Sequence, residues 1–355
     1  MSLWVDRYRP KQLDQLSYHQ DINANLKALA QSGDFPHLLI YGPPGAGKKT
    51  RIYATLNEIF DRGAERLKID VKTFTTPSNK KLEFNVLSSP HHLEITPSDM
   101  GNNDRVVIQD LLKEIAQTEQ VDMSSKRHHH FRIVIINEAE SLSHDAQAAL
   151  RRTMEKYSSQ IRLVMICTSI SSIISPIRSR TLLVRVGAPE VPEIVSVLGH
   201  IAEKEKVKFA DDSQRDQVLA KIAVASQRNL RRALLSFETL AMQNSVLTAQ
   251  MPVVTLDWEV IINNIARDIK NEQSVKLLAR IRSAFYELLS HCIPAKVVLK
   301  TLVQRLVELF IHNTPLVVTL MEHAAVFDER MSLGQKPIFH LEGFVAKAMV
   351  AIQNS

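Results

Sequence analysis

Leu38-Leu39-Ile40-Tyr41-Gly42-Pro43-Pro44-Gly45-Ala46-Gly47-Lys48-Lys49-Thr50 decides the fold. Three apolar residues and a tyrosine predict a buried strand, Gly42 to Gly47 a glycine-rich loop, and the helix formers after it a helix. Strand, loop and helix in that order are the setting of a phosphate-binding loop. Glycines let consecutive backbone N–H groups turn inward as an anion nest, and the helix N-terminus adds its dipole. Lys48 is then placed for the β- and γ-phosphates. The pattern requires a hydroxyl after that lysine, because its oxygen is a magnesium ligand. Here Lys49 holds the position, and an ammonium has no lone pair to give a cation. Thr50 is a poor substitute, since one helical step turns a side chain by about 100°. The loop therefore predicts nucleotide binding and puts hydrolysis in doubt.

The second anchor is Phe131-Arg132-Ile133-Val134-Ile135-Ile136-Asn137-Glu138-Ala139-Glu140. An apolar strand running into acids is where phosphate-loop proteins place a metal-binding aspartate and a water-activating glutamate. Glu138 is in the base position, but Asn137 replaces the aspartate. An amide carbonyl is a poorer ligand for a hard dication than a carboxylate. Two metal positions are altered, and both changes weaken the same ion.

Outward from these anchors, strands alternate with helices as far as Val186, which predicts a doubly wound parallel sheet with ligands at the C-terminal strand edges. Leu67 to Val71 and Leu82 to Leu87 alternate apolar and polar residues, as in an inserted hairpin. His92 to Thr96 and Ile161 to Thr168 are further strands, and Leu182 to Val186 is the last. The opening Trp4-Val5-Asp6-Arg7-Tyr8-Arg9-Pro10 reads as an irregular segment. Turn residues from Ser98 to Asp104 start a helix over about 105–120, with Arg105 in its first turn, where a cation opposes the helix dipole. Two readings of Arg105 stay open, a contact to a phosphate and a solvated arginine. His128-His129-His130 reads as a solvated loop in preference to a metal site, because adjacent side chains point apart, at most two of the three could converge, and no cysteine or acidic cluster accompanies them.

After Gly187-Ala188-Pro189-Glu190-Val191-Pro192 the strand signals fade. Three helices to Gln243, a polar link, and five helices from Trp258 onward predict two further, all-helical parts. The division expected is 1–187, 188–246 and 247–355. A chain of 355 residues supports two or three domains. With 45% apolar and 23% charged residues it has a globular composition. No apolar run suits a membrane span, the first residues lack a signal peptide's pattern, and no membrane partner is expected. Cys167 and Cys292 are too few for a disulfide framework or zinc ribbon, so a reducing compartment fits best. The net charge of +6 permits nucleic-acid contact and is equally compatible with ordinary solubility.

Trp4 to Pro10, the loop Gly42 to Thr50, Asp145 to Glu155 ending in Arg-Arg-Thr-Met-Glu, and Ser179-Arg180-Thr181 occur in that order. Together they resemble the small subunits of replication factor C, the eukaryotic sliding-clamp loader of the AAA+ class, nearly end to end. Gly-Lys-Lys-Thr, Pro-Ser-Asp-x-Gly-Asn-x-Asp-Arg and Phe339-His340-Leu341-Glu342-Gly343-Phe344 resemble most the small subunit with a degenerate nucleotide site. The resemblance implies an AAA+ sheet domain, a helical lid and a helical collar used in oligomerisation. It implies a nuclear subunit of a heteropentamer that loads the clamp PCNA onto primer-template DNA, with ADP or ATP bound and magnesium weak or absent at its own site. Val5, Tyr8, Arg9 and Ser17 match the family's adenine-contacting positions, and Arg231 the arginine reaching nucleotide from the lid. Arg180 matches the finger that acts on a neighbour's ATP, with Thr181 where the family has cysteine. Thr168 stands where an asparagine senses the γ-phosphate, a third departure at the same site. The competing reading is a free-standing AAA+ ATPase acting on nucleic acid or protein, and Lys49 and Asn137 count against it.

Overall fold

The structure, a computed structural model, describes residues 2–33, 35–60, 67–75, 81–98, 104–117 and 131–354. The histidines 128–130, most of the turn before Arg105 and the expected end of its helix at 118–120 lie outside them. The chain divides into two compact units, Met1–Val253 and Val254–Ser355.

The first unit is built on a seven-stranded sheet of β1 (Leu38–Tyr41), β2 (Lys68–Thr75), β3 (Lys81–Ser88), β4 (His92–Ile95), β5 (Arg132–Ile136), β6 (Ile161–Cys167) and β7 (Leu182–Arg185), in the order β2-β3-β4-β5-β6-β1-β7. The five strands from β4 to β7 are parallel, with Leu38 opposite Val164 and Leu182, and Ile135 opposite Val164. The two alternating-pattern strands form an antiparallel hairpin, as their sequence predicts, but they run longer and extend the sheet edge through β4. Alternation explains the layering. Val134 and Ile136 enter one core and Ile133 and Ile135 the other, and Leu39 likewise opposes Leu38 and Ile40. Both faces are covered, which is why these strands read as unbroken apolar runs.

The helices are α1 (Trp4–Arg7), α2 (Gln20–Gln31), α3 (Lys48–Phe60), α4 (Asp104–Gln117), α5 (His144–Lys156) and α6 (Ser175–Arg178), followed by α7 (Val191–Lys204), α8 (Asp212–Ala225) and α9 (Leu230–Gln243). The opening segment is therefore not irregular. It contains a helical turn, which Trp4 pins by an edge-on contact with Phe237 at 5.4 Å, while its backbone N–H donates to Glu238 at 3.1 Å. An aromatic side chain that is 6% exposed outweighs a sequence with weak helix signals. Capping sets two other starts: Ser143 accepts from the Ala146 N–H, and Glu190 with Glu193 forms a capping box on α7.

The second unit is all-helical: α10 (Asp257–Asn271), α11 (Val275–Ser290), α12 (Ala295–Leu309), α13 (Thr314–Leu333) and α14 (Pro337–Gln353). Its core gathers Phe285, Leu302, Leu320, Phe344 and their neighbours. Among the described residues, no helix is long and apolar enough to cross a membrane.

Candidate nucleotide site

The loop between β1 and α3 is shaped by two close approaches. Gly45 has φ +74°, and a Cβ there would collide with the Asn229 side chain at the start of α9. Gly47 has φ +80° and faces the Tyr18 hydroxyl in the same way. Any L side chain would be strained at both positions and would also push away the two elements that close over the loop. Lys48 is 9% exposed and donates to the carbonyls of Gly42 (2.5 Å) and Pro43 (2.9 Å). Burial pulls its pKa below the ordinary lysine value.

Beneath the loop lies Arg51, fully buried. Its guanidinium donates to Asn23 Oδ1 (3.0 Å), the Ala46 carbonyl (3.2 Å) and the Tyr18 carbonyl (2.8 Å), and sits 4.4 Å from the Tyr18 ring centre. Tyr18 in turn donates its hydroxyl to the Ala46 carbonyl at 3.1 Å. One side chain thus ties the phosphate loop to Asn23 of α2 and to the N-terminal segment that leads into that helix.

A cavity of about 680 Å³ opens between that segment, the loop, α7 and α9, a size that suits a nucleotide. Val5, Tyr8, Arg9, Ser17, Gly45, Gly47, Thr50 and Arg231 all line it. Residues scattered over more than two hundred positions converge there. Gly42, Pro43, Pro44, Ala46, Lys48 and Lys49 complete the adjoining loop without lining the cavity. Ser196 and His200 of α7 also line it, and no motif in the sequence points to them. Tyr8 is oriented by Glu205, which accepts its hydroxyl at 2.5 Å and pairs with Arg7 at 2.6 Å. Arg105, Glu138 and Arg180 lie outside the cavity lining.

The two altered metal positions meet on a residue that sequence reasoning missed. Glu94 of β4 is 2% exposed. One of its carboxylate oxygens takes the Lys49 ammonium in an ion pair and also the Asn137 amide N–H at 2.6 Å; the other accepts the Tyr53 hydroxyl. Asn137 makes a longer contact, 3.4 Å, to the Thr96 hydroxyl. Burial alone would raise the Glu94 carboxyl, but the hydrogen bonds from Lys49, Tyr53 and Asn137 outweigh it and hold it below the usual carboxylate range. A glutamate between Leu93 and Ile95 in a strand of the sheet was the available signal. This donor set does not fit magnesium, which demands several oxygen ligands in near-ideal octahedral geometry. Lys49 and the Asn137 amide present N–H donors, and Glu94 is already engaged. Among the described residues, no cluster of three or more histidine, cysteine or acidic side chains could hold a metal.

Glu138 is exposed, has φ +46°, and stands 3.5 Å from the Ser98 hydroxyl. Thr168 gives both its N–H (3.0 Å) and its hydroxyl (2.8 Å) to Glu140. Arg180, just beyond α6, is bound by Glu155 (2.6 and 2.8 Å) and by the Pro176 carbonyl (2.8 Å). Arg105 is exposed in the first turn of α4, where the buried Asp104 carboxylate accepts the Arg105 N–H and both donors of Ser143.

Three family models match this chain: the AAA family, ATPases associated with various cellular activities, over residues 38–186, an RCF1/5-like AAA+ ATPase lid domain over 196–242, and the C-terminal domain of replication factor C subunit 3 over 258–355. Among solved structures, Thermotoga maritima RuvB aligns with a TM-score of 0.50 at 16% identity, over 74% of this chain and 78% of its own, a likeness of fold alone. Replication factor C subunit 5 of Saccharomyces cerevisiae is 52% identical over 99% of this chain and 100% of its own length. Replication factor C subunit 3 of Homo sapiens is 46% identical over 98% and 96%. With an AAA+ nucleotide-binding fold, and relatives of this identity along nearly its whole length, the chain belongs to the replication factor C subunit family.

Proposed function

We propose that this chain is a nucleotide-holding subunit of the heteropentameric sliding-clamp loader. In this reading it binds ADP or ATP with little or no hydrolysis of its own, supplies Arg180 to a neighbouring subunit's ATP, and helps load PCNA onto primer-template DNA in the nucleus. Residues 1–187, 188–246 and 247–355 would serve as nucleotide, lid and collar domains. Val5, Tyr8, Arg9 and Ser17 would contact adenine. The loop from Gly42 to Thr50 would cradle the phosphates with Arg231, while Arg105 would meet DNA phosphates. The observation that supports the non-hydrolysing reading is the engagement of Lys49 and Asn137 on Glu94, at the two positions where a magnesium ion would need a hydroxyl and a carboxylate. Glu138 then has no metal-positioned phosphate to work on and stays idle. Arg180 remains useful because its present partner is a half-exposed carboxylate that a γ-phosphate can outcompete.

The test is turnover. The purified chain should retain ADP and show no steady-state ATPase within the range of about 1–10³ s⁻¹ typical of enzymes. In the reconstituted complex, Arg180→Ala should lower DNA- and clamp-stimulated ATPase through one neighbouring site, with this chain's own nucleotide occupancy unchanged. Fingers of this type are worth about 10³–10⁵ in rate at the site they serve. Wild-type ATPase and loading by the Arg180→Ala complex would refute the assignment.

A further inference from the structure

The Lys49–Glu94 pair does more than spoil a metal site. Lys49 follows the loop lysine Lys48 directly, at the first turn of α3, and Asn137 directly follows β5; these are the two positions from which this class of site holds its magnesium. Both side chains are drawn to one buried carboxylate, and Tyr53, one helical turn after Lys49, closes the remaining oxygen. The Lys49 ammonium is therefore fixed rather than mobile: Glu94 holds it, and it also lies 5.7 Å from the Tyr53 ring centre. Its side chain is still 37% exposed, so the ammonium is not sealed in the core. Paired with an ionised Glu94, the ammonium adds little net charge, but it has three N–H donors and Glu94 takes one, so the ammonium can still donate to phosphate oxygens at the start of the loop helix. It supplies no coordination sites for an attacking water.

We propose that this site takes its nucleoside diphosphate or triphosphate metal-free, with the Lys49 ammonium as the resident counter-cation and Glu94, Tyr53 and Asn137 as the residues that position it. The proposal rests on the loop being a nucleotide site. It adds that magnesium gains nothing at the site: a nucleotide already carrying the ion brings positive charge toward an ammonium that Glu94 holds in place. Magnesium should then leave the apparent affinity unchanged or lower it, the reverse of an intact phosphate-loop site.

Titration of the full-length chain with a fluorescent ADP, in buffer containing magnesium and in buffer containing EDTA, tests this directly. The expected dissociation constant in magnesium equals that in EDTA or exceeds it a few-fold. Any reproducible tightening by magnesium would overturn the metal-free assignment while leaving the nucleotide site standing. Absence of ADP binding in both buffers would overturn the nucleotide site itself, and this inference with it. Lys49→Met should weaken ADP in EDTA by about tenfold, the scale of one lost charge-assisted contact. Because that change strands the Glu94 carboxylate, the pair Lys49→Met with Glu94→Gln removes both charges together, with folding checked by circular dichroism. Unchanged affinity in the folded neutral pair would refute the counter-cation role. Lys49→Thr with Asn137→Asp, carried in a Glu94→Gln background so that no buried carboxylate is left unpaired, should acquire magnesium-dependent tightening; a folded variant that binds ADP without it would refute the assignment of these two positions to the metal.

Discussion

Arg51 is the position where a single change should reveal how the phosphate loop is held. Arg51→Met keeps most of the side-chain volume and removes the guanidinium, and with it the donors to Asn23 Oδ1, Ala46 and Tyr18. The cost follows from what each acceptor has left. The Ala46 carbonyl still receives the Tyr18 hydroxyl at 3.1 Å, and the Tyr18 carbonyl still receives the Asn23 amide at 3.3 Å. Asn23 Oδ1 is left without that donor in a side chain that is 6% exposed. One stranded buried acceptor, together with lost charge-assisted bonds and less the relief of no longer burying a cation, comes to about 2–4 kcal/mol. In a unit of this size that is a fall of roughly 5–15 °C in melting temperature. Trp4 lies in the first unit and Trp258 in the second, so fluorescence-monitored urea unfolding in a Trp258→Phe background reports the first unit alone. Below the transition, ADP affinity should also drop, because the Ser17–Tyr18 stretch and Gly47 border the cavity that Arg51 braces. A loss under about 0.5 kcal/mol with unchanged ADP affinity would refute the strut, since surface-like substitutions fall in that range.

Acid should weaken the sheet before it affects the carboxylates. Burial, with the Arg162 cation adding to it, holds His37 at about 4, and burial above all holds His92 at about 4. His37 Nδ1 accepts the Leu163 N–H and must stay unprotonated to do so. Between pH 6.5 and 4 the unfolded chain therefore binds more protons, so stability falls as pH drops through that window, by up to about 3 kcal/mol for each histidine. The lowered Glu94 contributes stability that is lost only at still lower pH. A melting temperature flat from pH 6.5 to 4.5 would contradict these assignments. At Arg105, exposed in the first turn of α4, removal of charge as Arg105→Ala should weaken DNA-dependent loading equally across sequences and lower its salt slope by about one unit. A sequence-selective loss would point to base contacts instead.

The sequence by itself determined the phosphate loop, the parallel sheet and the helical remainder. Those features rest on local rules: glycine spacing, apolar runs of strand length, and helical periodicity. It also determined that the Lys49 ammonium has no lone pair for a cation and that the Asn137 carbonyl is a poorer ligand than a carboxylate, because those are properties of the groups wherever they sit. Only the tertiary structure decided where those groups go instead. Glu94 is 45 residues from Lys49 and 43 from Asn137, and the three meet because β4 lies beside β5 in the sheet. Arg51 likewise reads as one polar residue in an amphipathic helix until Tyr18 and Asn23 fold over it. The opening segment gains its helical turn from Trp4 packing on Phe237, more than two hundred residues away. Covalent neighbours specify backbone conformation and residue type, whereas the partner of a buried charge is fixed by strand order and by the requirement that no such charge be left unpaired.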